Sequence, residues 1–409
     1  MRVSRPRRPR DDFGGWFDRT WWSKCAAAFN ETILGRKNPE DLAFKTELFR
    51  GGTAPLCDHA ITLVTQCSVD RIPQLEAQAR AWNGAMSVAI FIQAPATDLP
   101  AIAELHERLT ATGSSLSIEI ILVHSLAADG EFSEYERLYP INTLRNTAVE
   151  HARTELLFLV DVDFVPCRRL CKLASTQLWA ASVAQHAAAG ELTVIPAFET
   201  TPDVKMPTEQ QDMLAQLNTG TAEGFHVSQF PKGHAPTNFA KWATSSTRYE
   251  VKYEECYEPY VIGNRHLLPK YDERFRGYGM NKIQQLYACN ARGLRFVVEP
   301  HVFVAAAEHK RSTSWKTMYS ADGATALKNC EHPVRVAMIW GRFKEEISSG
   351  HPPGLMGRVD APRVLERRRA RVAAAFATTG TRQVAKEKAQ ARKVEAAANC
   401  VSRLSAVAV

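Results

Sequence analysis

The run Leu156-Leu157-Phe158-Leu159-Val160 leads directly into Asp161-Val162-Asp163-Phe164-Val165-Pro166. A strand this apolar is of the kind buried on both faces, and Pro166, which lacks an N–H, helps end its ladder. In an extended chain residues i and i+2 face the same side, so the spacing predicts that Asp161 and Asp163 converge on one cation. Two carboxylates offer hard oxygen ligands, and Mg²⁺ or Mn²⁺ bound in this way shares its coordination with phosphates. A diphosphate so held leaves readily, because the cation neutralises the charge that develops on departure. An Asp at a strand end also serves as a helix cap, so the triplet alone does not decide. A calcium-loop reading fails, since no Gly and Glu follow in register.

Other segments supply polar groups that such a site would use. Upstream, Tyr139-Pro140-Ile141-Asn142-Thr143-Leu144-Arg145-Asn146 predicts a helix starting near Asn142. Its free N–H groups and Arg145 would face an anionic diphosphate, or Arg145 would sit in an ordinary ion pair. Downstream, a Gly/Pro loop carries His234, Thr237, Asn238 and Trp242. These are candidates to bind an acceptor, with Trp242 either stacking on a bound ligand or filling the core. No Walker-type or G-x-G-x-x-G loop follows the first strand, and no nucleophile elbow occurs, which argues against NTPase, dinucleotide and Ser/Cys hydrolase chemistry.

The elements that must position these residues alternate. Ile61–Gln66, Met86–Ile92, Leu116–Val123 and Leu156–Val160 read as strands. Helical spacing fills the intervals: Ile72, Leu75, Ala79 and Trp82 in one, Ile102, Leu105 and Leu109 in the next, then Asn142 to Arg153. The pattern predicts an α/β layered fold, with a mostly parallel central sheet flanked by helices and ligands beyond the carboxyl ends of its strands. Residues 1–55 read as an N-terminal extension, 56–345 as the folded domain with an acceptor-directed second half, and 346–409 as a basic Ala/Arg-rich tail, helical or disordered.

The chain has 409 residues, 45% of them hydrophobic, with 51 Lys and Arg against 44 Asp and Glu. The net charge of +7 is confined to the ends: residues 1–10 carry +5 and residues 361–409 carry +8, leaving −6 for the rest. That distribution argues against nucleic acid as the partner of the folded body and leaves membrane contact to the basic tails. Neither an apolar span of transmembrane length nor a secretory signal is visible. The nine Cys show no zinc spacing. One Asn30-Glu31-Thr32 sequon is present.

Ordered stretches over roughly residues 60–315 resemble glycosyltransferase family 49, the LARGE-like glucuronyltransferases of dystroglycan glycan synthesis. They are Thr62-Leu63-Val64-Thr65-Gln66 with Asp70-Arg71, Leu144-Arg145-Asn146, Phe158 to Pro166, Pro196-Ala197-Phe198-Glu199, Lys232 to Trp242, Tyr257-Glu258-Pro259-Tyr260-Val261, and Tyr271 to Lys282. The resemblance implies a GT-A fold, a UDP-sugar donor (UDP-glucuronate in known relatives), Mn²⁺ or Mg²⁺, a glycan acceptor, inversion at the anomeric carbon and residence in the Golgi lumen. Asp161 and Asp163 match the family's metal-binding motif. The family's late His ligand falls on Ala306, so either His309, three residues on, replaces it as a metal ligand or the third ligand is missing. The donor is expected against Thr65, Gln66, Arg145, Asp161, Val162, Lys241 and Lys282. Where many inverting enzymes of this fold place an acidic pair after a Gly-aromatic-Gly turn, this chain has Asn281-Lys282. The base is therefore sought in Glu258, whose aromatic segment would raise a carboxylate's pKa, or in Asp272 or its neighbour Glu273. Ala306 and Asn281-Lys282 keep open a second reading, a relative that binds glycan or nucleotide-sugar without turnover.

Overall fold

The computed structural model describes residues 44–51, 60–110, 115–125, 138–307 and 326–357. The elements, in chain order, begin with β1 (Phe44–Arg50), β2 (Ile61–Ser68), α1 (Ile72–Trp82), β3 (Ala85–Ile92), α2 (Pro95–Thr110), β4 (Ser117–Ser125), α3 (Ile141–His151) and β5 (Leu156–Leu159). Next come β6 (Val165–Pro166), α4 (Arg168–Ala174), α5 (Gln177–Ala188), β7 (Glu191–Ile195), β8 (Ala197–Thr200), α6 (Gln210–Thr219) and β9 (Ala222–Gly224). The rest are α7 (Pro231–His234), α8 (Phe239–Thr244), β10 (Tyr249–Val251), β11 (Tyr260–Asn264), α9 (Ile283–Ala291), β12 (Arg295–Val298), β13 (Val304–Ala307) and α10 (Ala326–Ser348).

Nine strands form one sheet in the order β1-β4-β3-β2-β5-β11-β7-β12-β10, and β6-β13-β8-β9 form a second. The expected α/β fold, with a large central sheet flanked by helices, is the fold found. Every residue of β3 is buried, as a strand covered on both faces requires. Helix α1 lays Ile72, Leu75, Ala79 and Trp82 against the sheet. Each such large side chain contributes about 1.5–3 kcal/mol of burial. The helix stops where Asn83 adopts the left-handed conformation at φ 46°.

Strands β2, β3, β4 and β5 are parallel neighbours. The chain places β3 and β4 on one side of β2 and returns to place β5 on the other. That reversal opens a crevice beyond the carboxyl ends of β2 and β5. The sheet is more mixed than the strand–helix alternation predicts, because β11 runs antiparallel between β5 and β7. Local patterning carries no trace of this insertion, since β11 is far from β5 in sequence.

Two boundaries differ from the sequence expectation. Residues 44–50, assigned to the extension, form an edge strand antiparallel to β4. Residues 346–357, assigned to the tail, pack on the body: Lys270 N donates to Gly354 O at 2.7 Å, Met356 N donates to Leu268 O at 2.8 Å, and the Met356 side chain is buried. The compact unit ends at Gly357. The sequon at Asn30, the basic segment 358–409 and His309 lie outside the described residues. No helix among the described residues is long and apolar enough to cross a membrane.

Candidate active site

A pocket opens at the crevice between β2 and β5. Its walls are Val64, Thr65 and Gln66 from β2, Leu159 at the end of β5 with Val160 and Asp161 just after it, Arg145 from α3, Tyr260 from β11, and Tyr271 and Lys282 from the segment between β11 and α9. Thr65 Oγ1 is buried without a hydrogen-bond partner, as a donor or acceptor awaiting a ligand would be. Gln66 Oε1 accepts a hydrogen bond from the Tyr139 hydroxyl.

Asp161 is the hub. Its Oδ1 accepts from Arg145 Nη2 at 2.7 Å, its Oδ2 accepts from the Tyr260 hydroxyl at 2.9 Å, and Lys282 Nζ stands 3.8 Å from Oδ2. Burial alone would raise its pKa. The charges of Arg145 and Lys282, with the hydrogen bonds from Arg145 and Tyr260, win and hold the carboxyl well below the usual range. Arg145 is buried and fixed: Nη1 also donates to Asn281 Oδ1 at 3.1 Å and to Asn142 Oδ1 at 3.2 Å.

The prediction that Asp161 and Asp163 converge through extended-chain geometry does not hold. Strand β5 ends at Leu159, and Phe164 N donates to Asp161 O at 3.2 Å, so the motif closes a turn. The alternation of a strand therefore does not apply to the pair, and the two carboxylates take different partners. Asp163 Oδ1 accepts from Arg71 Nη1 at 3.0 Å. Val162, expected to touch the donor, turns its side chain into the core at 5% exposure.

Among the described residues no group of three His, Cys, Asp or Glu side chains could hold a metal ion. Asp161 in the pocket wall, with the hard carboxylate of Asp163 on the same turn, nevertheless fits a cation that completes its shell with phosphate oxygens and water rather than with a closed protein cage. Ala306 lies in β13 and supplies no ligand.

Glu258 meets the site through Lys282, whose Nζ is 3.6 Å from Glu258 Oε2 and 4.0 Å from the Tyr260 ring centroid. Burial raises the Glu258 pKa, Lys282 lowers it and the Asp161 charge raises it again, for a net rise. His234, on α7, is buried against Phe225 and Tyr260, and burial followed by the Lys282 charge pushes its pKa well below the ordinary histidine value.

Other predicted site residues are not brought to the pocket. Asp272 is locked by its own neighbour: Arg274 Nη2 donates to Asp272 Oδ2 at 2.6 Å and also pairs with Glu346 of α10. Lys241 lies over the Tyr249 ring at 4.4 Å. Asn238 caps α8, its Oδ1 accepting from Lys241 N at 3.0 Å. The Thr237 hydroxyl is buried against the Tyr257 hydroxyl at 2.9 Å. Trp242 is fully buried among Phe198 and Phe303, with Nε1 donating to Val302 O at 3.0 Å, so it is a core residue and not a sugar platform.

Sequence reasoning assigned no role to Gln78, Arg71, Tyr139, Tyr260, Tyr271 or Asn281. One signal was available: Gln78 interrupts the apolar stripe of α1 between Leu75 and Ala79. Its Nε2 donates to Asp161 O at 2.9 Å and to Phe164 O at 2.7 Å, bracing both ends of the motif turn. Tyr260 had no such signal, because only the β5–β11 ladder places it beside Asp161.

Comparison with known proteins bears on this site. The family described as "Glycosyl-transferase for dystroglycan" matches over residues 60–128 and 122–331. The xylosyl- and glucuronyltransferase LARGE1 of Mus musculus is 35% identical over 254 residues, covering 62% of this chain and 32% of the relative. The xylosyl- and glucuronyltransferase LARGE2 of Homo sapiens is 34% identical over 255 residues, covering 62% and 33%. The chain thus spans about a third of the length of these relatives. Among solved structures, TarS of S. aureus in complex with UDP aligns at TM-score 0.35 and 12% identity, over 61% of this chain and 60% of that one. GalNAc-T7 with UDP, GalNAc and Mn²⁺ aligns at TM-score 0.35 and 9% identity, over 86% and 71%.

Proposed function

The chain belongs to the family of glycosyl-transferases for dystroglycan, and from that membership we propose that it transfers glucuronate, or a related sugar, from a UDP-sugar to a glycan hydroxyl with inversion. The observation that carries the reading is the charge arrangement at the β2/β5 crevice: a pocket with Arg145, Lys282 and Asp161 in its wall, and Glu258 joined to it through Lys282. The relatives' names, xylosyl- and glucuronyltransferase, support a donor sugar of that kind.

In this reading the donor diphosphate lies against Thr65, Arg145 and Lys282. Asp161 and Asp163 would hold Mn²⁺ or Mg²⁺, which supplies Lewis-acid neutralisation of the leaving diphosphate when bound. Arg145 fixes the Asp161 carboxylate, and Tyr260 orients its second oxygen. Glu258 takes the proton from the acceptor hydroxyl while that oxygen forms its bond to the anomeric carbon. The anomeric carbon–phosphate bond breaks, and its electron pair leaves with UDP. A carboxylate whose pKa is raised by burial suits this role, because a base works best near the operating pH. The family's residence in the Golgi lumen is part of the same proposal.

The test is a panel of UDP-sugars scored for Mn²⁺-dependent protection against thermal unfolding, followed by a transfer assay on glycan acceptors. Protection by UDP-glucuronate with transfer that is lost in Asp161→Asn supports the reading. Full transfer by that variant sinks the site assignment. UDP binding without hydrolysis or transfer favours the non-catalytic binder, the reading that Ala306 and the Asn281-Lys282 pair motivate.

A further inference from the structure

The two cations in the pocket wall are held in different ways. Arg145 donates hydrogen bonds to Asp161, Asn281 and Asn142 at 2.7 to 3.2 Å, and its guanidinium lies 5.1 Å from the Tyr271 ring centroid. Such a side chain stays where it is. Lys282 is equally buried, but its ammonium sits at ion-pair distances of 3.6 Å from Glu258 and 3.8 Å from Asp161, resting on the Tyr260 face. One ammonium on a flexible stem is shared between two carboxylates, and it is also part of the pocket wall. A diphosphate entering that pocket is a further anion, and its oxygens compete with both carboxylates for this ammonium.

We propose that Lys282 is a transferable counter-ion: on donor binding it swings from Glu258 to the diphosphate, so that occupancy of the donor site itself releases Glu258 to take the acceptor's proton. The inference rests on the function proposed above and adds the order of events. Without donor, Glu258 is paired and a poor base. With donor, it loses its counter-ion and its affinity for a proton rises. An opposite charge at this range is worth about 1–3 pKa units. The charged and titratable groups facing Glu258 are Lys282 ahead of α9, Asp161 after β5, Arg145 on α3, Tyr260 on β11 and Cys256 on its own segment. Of the cations, Arg145 is fixed to Asp161, so Lys282 is the one whose movement changes the field at Glu258. The short helix α7 closes the opposite side: Glu258 N donates to Gly233 O at 2.9 Å, and a Cβ at Gly233 would come within 3.3 Å of Glu258 Oε1.

The experiment is calorimetric titration of the full chain with UDP and Mn²⁺ near pH 7, in two buffers of different protonation enthalpy, which counts protons taken up per UDP bound. UDP itself exchanges protons on binding, so the quantity read is the difference between wild type and Glu258→Gln. Wild type is expected to take up more protons than Glu258→Gln. Lys282→Gln is expected to lose that excess and to bind UDP about tenfold more weakly. Lys282→Arg, which keeps the charge, is expected to retain the excess and serves if the neutral variant folds poorly. A merely structural lysine would change affinity or stability without altering the proton count. Equal uptake by wild type and Glu258→Gln overturns the counter-ion transfer while leaving the glycosyltransferase reading intact; absence of UDP binding to wild type overturns both.

Discussion

The side-chain amide of Gln78, on the buried face of α1, donates to the main-chain carbonyl of Asp161 at 2.9 Å and to that of Phe164 at 2.7 Å. The helix that packs on the sheet therefore also sets the shape of the turn that presents both carboxylates. Replacing Gln78 with Leu conserves volume but takes the amide donor from the Phe164 carbonyl, at a cost of about 1–3 kcal/mol where water cannot reach, and leaves the Asp161 carbonyl only the Phe164 N–H. A lowered melting temperature and a kcat falling more than the acceptor KM rises are expected. An unchanged kcat would show that the turn holds its shape without the brace.

Asp161 carries a stabilising charge as well as a proposed ligand. Asp161→Asn removes the counter-ion of buried Arg145 and of Lys282 together, and breaking a buried pair from one side costs roughly 3 kcal/mol or more. Because its folded pKa is depressed, this stability is present above the ordinary Asp range and is lost as pH falls through the lowered value. Asp163→Asn, whose partner Arg71 is partly exposed, should lose Mn²⁺-dependent transfer with a smaller stability change. Denaturant melts of the two variants check the ranking.

Glu258 has the opposite sign. Its raised folded pKa means that the stability it contributes is present at acid pH and lost as pH rises through the folded value. Glu258→Gln mimics the protonated form, so its melting temperature should gain on that of wild type as pH rises above the ordinary Glu range of about 4.3. Transfer by the same variant should fall by about 10²–10⁴-fold. A stability difference independent of pH would contradict the burial that shifts this group.

Trp242 and Lys241 provide the contrast. Trp242→Ala should cost about 3–5 kcal/mol through core loss. Trp242→Phe, if folded, should keep the acceptor KM, since the indole meets only core residues and the Val302 carbonyl. Lys241→Ala should leave UDP affinity unchanged. A rise in acceptor KM for Trp242→Phe would return the indole to the sugar site.

The C-terminal boundary of the folded unit is testable by truncation. Ending the chain after residue 345 removes Glu346, the partner of Arg274, and the 354–356 contacts with Lys270 and Leu268. That truncation should destabilise the segment carrying Tyr271 and Lys282 and weaken UDP binding. Ending after Gly357 should preserve both, as measured by melting temperature and UDP titration.

Local patterning was enough for the first half of the fold. The alternation of apolar strands with helices of 3.6-residue period over residues 61–160 is a property of neighbouring residues, and strands and helices form there within a residue or two of the expected positions. The placement of Asp161 at the end of β5, and the crevice beside it, follow from the same periodicity. Thr65, Gln66 and Arg145 reach the pocket for that reason. Other properties depend on residues far apart in the chain. Antiparallel β11 enters between β5 and β7 and delivers Tyr260 to Asp161 across 99 positions. Trp242 and Thr237 are interior, and Asp272 is claimed by Arg274 and Glu346, because tertiary neighbours meet their polar atoms first. The link from Glu258 through Lys282 to Asp161 belongs to this second kind, since Coulomb interaction depends on distance in space and only the folded sheet brings those three charges within 4 Å of one another's partner.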